Sequence, residues 1–364
     1  MMIAFCNLKS QYDKYKFEID DKIQNLLNNT NYIGGQEVKE LENNLANYVN
    51  VKYAYACSNG TSALFLALKA LGIKEGDEII TTPFTFIASS EMIALIGAKP
   101  VFVDISDIDY NLDINEIESK ITSKTKAILA VSIFGQMPNL IKLKEICKKY
   151  NIYLIEDAAQ SFGAKDDFNN VSCSIADIST TSFFPSKPLG CYGDGGAIFT
   201  NDENLANTIN LLINHGSKER YLHEIIGLNA RLDTIQAGIL NVKFKYFDKE
   251  IEQRNKIAKI YTDNLNNCIV PKVKDGYKSV WAQYSIRVEN RQEVIKKLQK
   301  NNIPTAIHYP TPLHLQPCFR YLGYNEKDFP IAKVVSDEIL SLPFSAFLNY
   351  EDQSKIIEIF NKGE

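Results

Sequence analysis

Residues 152–161 read Ile-Tyr-Leu-Ile-Glu-Asp-Ala-Ala-Gln-Ser and predict a buried strand that ends in two carboxylates. A short apolar run with β-branched residues, bounded by small residues, is typical of a strand covered on both faces. Similar runs precede it at residues 77–82, 99–104 and 127–132. Because helical stretches separate these runs, the pattern predicts an α/β fold with a mostly parallel sheet between layers of helices.

Helical periodicity is clearest at residues 62–71 and 140–150, between the predicted strands. Farther along, residues 233–260 predict one long helix whose only breaker is Gly238 and which carries the chain out of the first domain.

The rest of the chain mixes both patterns, with a predicted strand at residues 280–288 and a predicted helix at residues 291–300. We therefore expect a large α/β domain over residues 1–245 and a smaller C-terminal α+β domain over residues 246–364.

The composition is that of an ordinary globular protein, with 364 residues, 45% hydrophobic and 23% charged, and a net charge of −4. The sequence contains no basic block and no long apolar run, so we expect neither a nucleic-acid partner nor a membrane partner. The seven cysteines are scattered and never spaced as CxxC, and there are only four histidines. With no signal-peptide pattern at the N-terminus, we expect a cytoplasmic protein with reduced thiols and no metal site.

An acid and a lysine form the first candidate site. Asp157 ends the predicted strand, and Lys187 lies in the loop of residues 182–190, which is rich in serine, proline and glycine. Pyridoxal phosphate (PLP) requires a lysine that forms a Schiff base with its aldehyde and a carboxylate that keeps its pyridine nitrogen protonated. Gln160 is a candidate for the ring oxygen of PLP, and Phe86 for stacking on the ring. Taken singly, a helix-capping aspartate, a surface lysine and a core phenylalanine are open alternatives.

A phosphate site is predicted where the small-residue loop of residues 57–62 leads into a helix. Such a loop offers free backbone N–H groups and the positive end of the helix dipole to an anion. Gly60, Thr61 and Ser62 are the candidate ligands, and Ser182 could add a further contact. Ordinary N-capping of the helix is the alternative. A dinucleotide or P-loop site is disfavoured, because neither GxGxxG after a first strand nor GxxxxGK[ST] occurs.

These segments together resemble the DegT/DnrJ/EryC1/StrS family of PLP-dependent nucleotide-sugar aminotransferases. The resemblance covers nearly the whole chain and includes residues 32–38, 58–61, 156–164, 227–233 and 307–310. It implies a PLP-dependent transferase of fold type I and a homodimer whose active sites are shared between subunits.

The resemblance also assigns roles to particular residues. Lys187 is the catalytic residue, and its presence favours transamination over the dehydratase activity of members that carry histidine at this position. Asn229 would reach the PLP phosphate of the partner subunit. The candidates for substrate binding are Tyr32, Arg231, His308 and Tyr309.

The sequences of several loop segments most resemble those of the subgroup of this family that aminates C3 of a UDP-2-acetamido-2-deoxy-3-oxo-hexuronate. They lie at residues 181–202, 215–216, 220–221 and 308–314. This implies transfer of an amino group from L-glutamate, with release of 2-oxoglutarate, for polysaccharide biosynthesis. Alternatives left open are a dTDP-linked 3-keto-6-deoxyhexose or a UDP-4-keto sugar as substrate, a non-catalytic PLP-binding regulator, and a nucleotide-binding structural module.

Overall fold

A seven-stranded sheet forms the centre of the computed structural model, which describes residues 3–362. Six of its strands run in one direction, and only β7 is antiparallel to its neighbours. This confirms the predicted α/β fold with a mostly parallel sheet. In spatial order the strands are β1 (Tyr53–Cys57), β7 (Gly196–Thr200), β6 (Ile178–Ser182), β5 (Tyr153–Asp157), β4 (Thr125–Val131), β2 (Glu78–Thr81) and β3 (Lys99–Phe102).

The predicted strands all form, but most are shorter than their apolar runs. The run at residues 99–104, for example, leaves the sheet after Phe102. Asp104 accepts hydrogen bonds from the backbone N–H groups of Ile331 and Ala332, each at 2.9 Å. Its carboxylate therefore serves a distant helix start rather than the strand ladder.

Helices cover both faces of the sheet, and the strand residues alternate between the two cores. Ile155 packs in the core that contains α3, whereas Leu154 packs in the core that contains α6. The helices of this part are α1 (Leu8–Asn29), α2 (Gln36–Val49), α3 (Gly60–Ala70), α4 (Ala88–Leu95), α5 (Ile114–Lys120), α6 (Leu140–Tyr150), α7 (Glu203–Ile213) and α8 (Thr234–Phe244). Among the helices described, none is long and apolar enough to cross a membrane.

The predicted single helix over residues 233–260 is wrong, because α8 ends at Phe244 and a new helix, α9 (Phe247–Asn264), follows. Tyr246, between them, stacks on Tyr15 of α1 with ring centroids 4.3 Å apart. Gly238, the expected breaker, is helical. A Cβ there would lie 2.9 Å from Leu26 of α1, so this glycine permits close helix packing.

The C-terminal part has its own core around Tyr261, Tyr284 and Phe344, which Ile3 also joins. Its antiparallel pair is β10 (Tyr284–Arg287) and β11 (Ile339–Leu342). Its helices after α9 are α10 (Arg291–Lys300), α11 (Pro330–Glu338) and α12 (Tyr350–Asn361). A hairpin of β8 (Ser217–Glu219) and β9 (Leu222–His223) lies earlier in the chain, and short 3₁₀ turns occur at Ile133–Gly135, Leu313–Leu315 and Pro317–Leu322.

This smaller α+β part follows the large sheet domain as the fold class predicts, whereas the boundary between residues 245 and 246 stays a prediction. The predicted strand at residues 280–288 is confined to Tyr284–Arg287. Its first residues bond to the turn Ile133–Gly135 instead: Val280 N–H donates to Gly135 and Ala282 N–H donates to Phe134. This contact joins the C-terminal part to the sheet domain.

Gly135 is required at that contact, and we expect Gly135→Ala to destabilise the protein strongly. Its φ is 109°, and a Cβ would lie 2.4 Å from the backbone nitrogen of Trp281. The loss should be about 3 kcal/mol or more in free energy of unfolding, measured by denaturant titration. Gly72 is the matched control, because its φ is 71° but nothing lies within 4 Å of a Cβ. Gly72→Ala should cost only about 1 kcal/mol; equal losses would contradict the steric argument.

Candidate active site

A cavity of about 660 Å³ lies at the carboxyl edge of the sheet. Because the parallel strands all end at this edge, the loops that follow them converge there. The predicted site residues that line this cavity are Gly60, Thr61, Ser62, Phe86, Asp157, Gln160, Ser182, Lys187, His308 and Tyr309.

Two neighbouring carboxylates at the end of β5 have different surroundings. Asp157 lines the cavity, and its carboxylate accepts hydrogen bonds from the Ser89 hydroxyl at 2.7 Å and the Ala159 N–H at 3.1 Å. Glu156, on the other face, accepts from Ser132, Ser172 and the backbone of Cys173 at 2.7–2.8 Å. Strand alternation therefore selects Asp157 as the acid available to a ligand.

Burial shifts the pKa of Asp157 and that of Lys187 in opposite directions. It raises the pKa of Asp157, against the opposing effects of the Ser89 and Ala159 hydrogen bonds and the charge of Lys187. It lowers the pKa of Lys187, against the opposing effect of the Asp157 charge. A lysine with a depressed pKa supplies a neutral amine, which is the nucleophilic form.

The loop that carries Lys187 is held in a tight turn. The N–H of Lys187 donates to the Phe184 carbonyl at 2.8 Å. A Cβ on Gly190 would lie 2.6 Å from the Pro185 oxygen, so only glycine allows the turn to close. Lys243, a buried residue of α8, donates a hydrogen bond to the Gly190 carbonyl. These contacts direct the Lys187 side chain into the cavity.

The start of α3 is the place where the sequence predicts an anion site. Asn59 caps the helix by accepting from the Ser62 N–H at 2.7 Å, and the first-turn N–H groups of Gly60 and Thr61 have no acceptor within the helix. A Cβ on Gly60 would lie 2.8 Å from the Ser182 Cβ, so glycine lets the helix start close to the end of β6. The cap therefore leaves these N–H groups available to an anion, and the binding of a phosphate here stays a prediction.

Gln160 holds two parts of the cavity wall together. Its Oε1 accepts from the Phe134 N–H at 2.9 Å, and its Nε2 donates to the Tyr309 hydroxyl at 3.2 Å. Phe86 is 55% exposed, with its ring centroid 6.2 Å from that of Tyr309, whereas Phe84 is fully buried. The aromatic ring free to meet a ligand is therefore that of Phe86, although its stacking role and the contact of Gln160 with the ring oxygen stay predictions.

A chain of hydroxyl groups orients His308. Its Nδ1 shares a hydrogen bond of 2.9 Å with the Ser341 hydroxyl, which in turn lies 2.8 Å from the Ser285 hydroxyl. Burial, and secondarily the charge of Lys187, lowers the pKa of His308. The lowered pKa favours a neutral imidazole, whose Nε2 has no hydrogen-bond partner among residues 3–362 and can bond to a ligand.

The structure does not bring Tyr32, Asn229 or Arg231 into the cavity of their own chain. Arg231 donates to Asn229 at 3.1 Å and to Asn214 at 3.0 Å, and it borders a surface depression lined by the β8–β9 hairpin. Tyr32 is 44% exposed.

Sequence reasoning missed several residues that line the cavity, notably Ser89 and Gln283, together with Thr85, Thr180, Thr181, Ser186 and Asp194. Ser89 is separated from Asp157 by 68 positions along the chain, and no local pattern marks it. Only the pairing of strands brings its helix, α4, to the end of β5.

The site residues fit PLP. The first turn of α3 suits the phosphate, Asp157 suits the pyridine nitrogen, and the amine of Lys187 suits the aldehyde. A type I α/β fold with this acid and lysine at its carboxyl edge defines a PLP-dependent enzyme.

Residues 13–361 match the family model described as the DegT/DnrJ/EryC1/StrS aminotransferase family. The chain is 45% identical over 350 residues to a UDP-2-acetamido-2-deoxy-3-oxo-D-glucuronate aminotransferase of Pseudomonas aeruginosa, covering 96% of each chain. It is 42% identical to a pleiotropic regulatory protein of Geobacillus stearothermophilus, covering 98% of this chain and 97% of the relative. The crystal structure of a family aminotransferase from Brucella abortus matches with a TM-score of 0.95 at 38% identity, over 98% of both chains.

The chain belongs to the DegT/DnrJ/EryC1/StrS aminotransferase family. It is a PLP-dependent sugar aminotransferase, as the resemblance implied. Solved structures similar to it include forms with the cofactor bound.

We expect Ser89→Ala to move the acid limb of the pH–activity profile to higher pH. The Ser89 hydroxyl stabilises the ionised form of Asp157, so its loss raises the pKa of that carboxyl further, and the carboxylate is then protonated earlier as the pH falls. The shift should be about half to one pH unit, measured as kcat/KM against pH. Ser90→Ala is the control, because the buried Ser90 hydroxyl has no partner within residues 3–362. An acid limb identical to that of the wild type would contradict the role of Ser89.

Proposed function

We propose that this enzyme transfers the amino group of L-glutamate to C3 of a UDP-linked 2-acetamido-2-deoxy-3-oxo-hexuronate, releasing 2-oxoglutarate. The observation that carries the proposal is the 45% identity, over 96% of both chains, to an aminotransferase named for such a sugar. The lysine and acid of the cavity supply the residues that transamination requires.

The side chains that line the cavity have different proposed roles in the reaction. PLP, when bound, supplies an electron sink and carries the amino group between the two substrates. Lys187, with its depressed pKa, takes and returns the proton that moves during transfer, and Asp157 holds the pyridine nitrogen protonated. The first turn of α3 binds the phosphate. His308 and Tyr309 line the side of the cavity that is left for the substrate.

The proposal extends to a homodimer with shared sites. Arg231 and Asn229 are held together on a surface outside the cavity of their own chain, and Tyr32 is exposed. Exposed apolar residues near them, Ile226 at 94% and Leu222 at 52%, suit an interface. In the dimer, Asn229 would reach the PLP phosphate of the partner subunit. Arg231 and Tyr32 would bind the sugar there, with the Arg231 guanidinium on its carboxylate or diphosphate.

A cytoplasmic location and a role in polysaccharide biosynthesis complete the proposal. The cysteines at positions 6, 57, 147, 173, 191, 268 and 318 are free thiols, which suits a reducing compartment.

Other relatives keep a second candidate substrate open. Chains 33–39% identical to this one are named as transaminases that form dTDP-linked 3-amino sugars. These relatives favour amination at C3 over amination at C4. They do not decide whether the nucleotide of the substrate is UDP or dTDP. One relative is named as a regulatory protein, so a PLP-binding regulator is kept as the remote alternative. Lys187, with its depressed pKa, argues against this alternative because it supplies the amine that catalysis needs.

A panel of keto-sugars with L-glutamate tests the proposed reaction. We expect the highest kcat/KM on the UDP-linked 3-oxo-hexuronate, measured by 2-oxoglutarate release and mass spectrometry of the amino sugar. Lys187→Ala and Lys187→Arg should reduce turnover by at least about 10³-fold, because neither side chain can supply a neutral amine. Faster amination of a dTDP-linked 3-keto-6-deoxyhexose or a UDP-4-keto sugar would replace the substrate. A wild-type enzyme that turns over no sugar would favour the regulator.

Mixed dimers test the shared site. Lys187→Ala and Arg231→Ala homodimers should each be impaired, whereas a mixed dimer holds one site with both residues intact. Random mixing should recover about a quarter of wild-type activity, because half of the dimers are mixed and each has one intact site of two. The control is a mixture of Lys187→Ala with Lys187→Arg, which cannot restore a site. If mixing Lys187→Ala with Arg231→Ala restores no activity, Lys187 and Arg231 act in the active site of the same chain, and the shared site is contradicted.

A further inference from the structure

Gln283 reaches the cavity from the C-terminal part of the chain. It precedes β10, and the residues before it are anchored to the sheet domain: Val280 N–H donates to Gly135 at 3.0 Å and Ala282 N–H donates to Phe134 at 3.1 Å. It lines the cavity together with Lys187 and His308. The backbone contacts therefore present its side chain to the site from a fixed position.

The amide oxygen of Gln283 is buried and has no hydrogen-bond partner within residues 3–362. Several other buried side-chain atoms of the described chain also lack a partner, but Gln283 alone among them lines this cavity. Gln160, the same side chain in the same cavity, has both ends of its amide bonded. A buried acceptor without a partner destabilises the ligand-free protein, so a ligand that supplies the donor is the natural explanation.

The chemistry of the possible ligands decides which one supplies that donor. In the proposed site, the phosphate, pyridine nitrogen and aldehyde of PLP pair with the α3 turn, Asp157 and Lys187, and its ring oxygen pairs with Gln160. L-glutamate carries two carboxylates, which only accept, and its ammonium is the group that reacts. A sugar, by contrast, carries hydroxyl groups, and a 2-acetamido sugar adds an amide N–H beside C3. These are donors that an amide oxygen accepts.

We propose that Gln283 is a sugar-binding residue: its amide turns toward the cavity when the keto-sugar binds, and its oxygen then accepts a hydrogen bond from a hydroxyl or acetamido N–H of that sugar. This inference rests on the proposed function and adds to it a specificity contact. A sugar that lacks the donor leaves the oxygen of Gln283 unpaired. Its kcat/KM should therefore fall by more than the loss of a solvent-exposed hydrogen bond would cause.

Gln283→Met keeps the length of the side chain and removes its hydrogen bonding. In the holoenzyme, kcat/KM for the keto-sugar half-reaction should fall by about three- to tenfold. The glutamate half-reaction, followed separately by the spectral change of the bound cofactor in a single turnover, should keep its rate. In the holoenzyme without sugar, Tm should stay level or rise, because an unpaired buried acceptor is removed.

Gln160→Met is the matched control for stability. Both ends of its amide are bonded within the protein, so this variant should lower Tm. A Gln283→Met enzyme with unchanged kinetics on the sugar would overturn the inference and leave the proposed function standing. So would equal loss in both half-reactions, or a fall in Tm as large as that of Gln160→Met. A wild-type enzyme that aminates no keto-sugar would overturn the proposed function and this inference together.

Discussion

The buried carboxylate of Asp157 is the constraint on which the rest of the site depends. A carboxylate at the end of a covered strand is unfavourable in its ionised form unless hydrogen bonds and a positive charge oppose the effect of burial. Ser89 and Ala159 provide the bonds, and Lys187 provides the charge. The same burial depresses the pKa of Lys187, so one apolar environment prepares the acid and the amine for opposite tasks.

The cavity is also a junction between the two parts of the chain. Gln160 bonds to Phe134 on one side and to Tyr309 on the other, and the turn that contains Phe134 holds the segment before Gln283. The groups proposed to bind the cofactor come mainly from the sheet domain, whereas His308, Tyr309 and Gln283 come from the C-terminal part. A disturbance at this junction is therefore expected to affect substrate binding as well as stability.

Most of the fold was predictable because its signals are local. The apolar runs marked β2 to β5, and the helices at residues 140–150 and 291–300 form with the predicted bounds. The long helix over residues 233–260 was not predictable in this way. At its break Tyr246 meets Tyr15, a residue far away in the chain, and no propensity of the segment itself encodes that contact.

The sequence by itself determined the alternation of strands and helices, the positions of Asp157 and Lys187, and the small-residue start of α3. Each of these is a property of a few consecutive residues, since burial pattern, turn chemistry and capping act over short distances. Only the tertiary structure decided that Ser89 supports Asp157, that Ser341 orients His308 and that the Gln283 amide oxygen has no partner among residues 3–362. Those contacts join segments that meet only when the sheet is assembled, and hydrogen bonds act over about 3 Å in space whatever the separation along the chain.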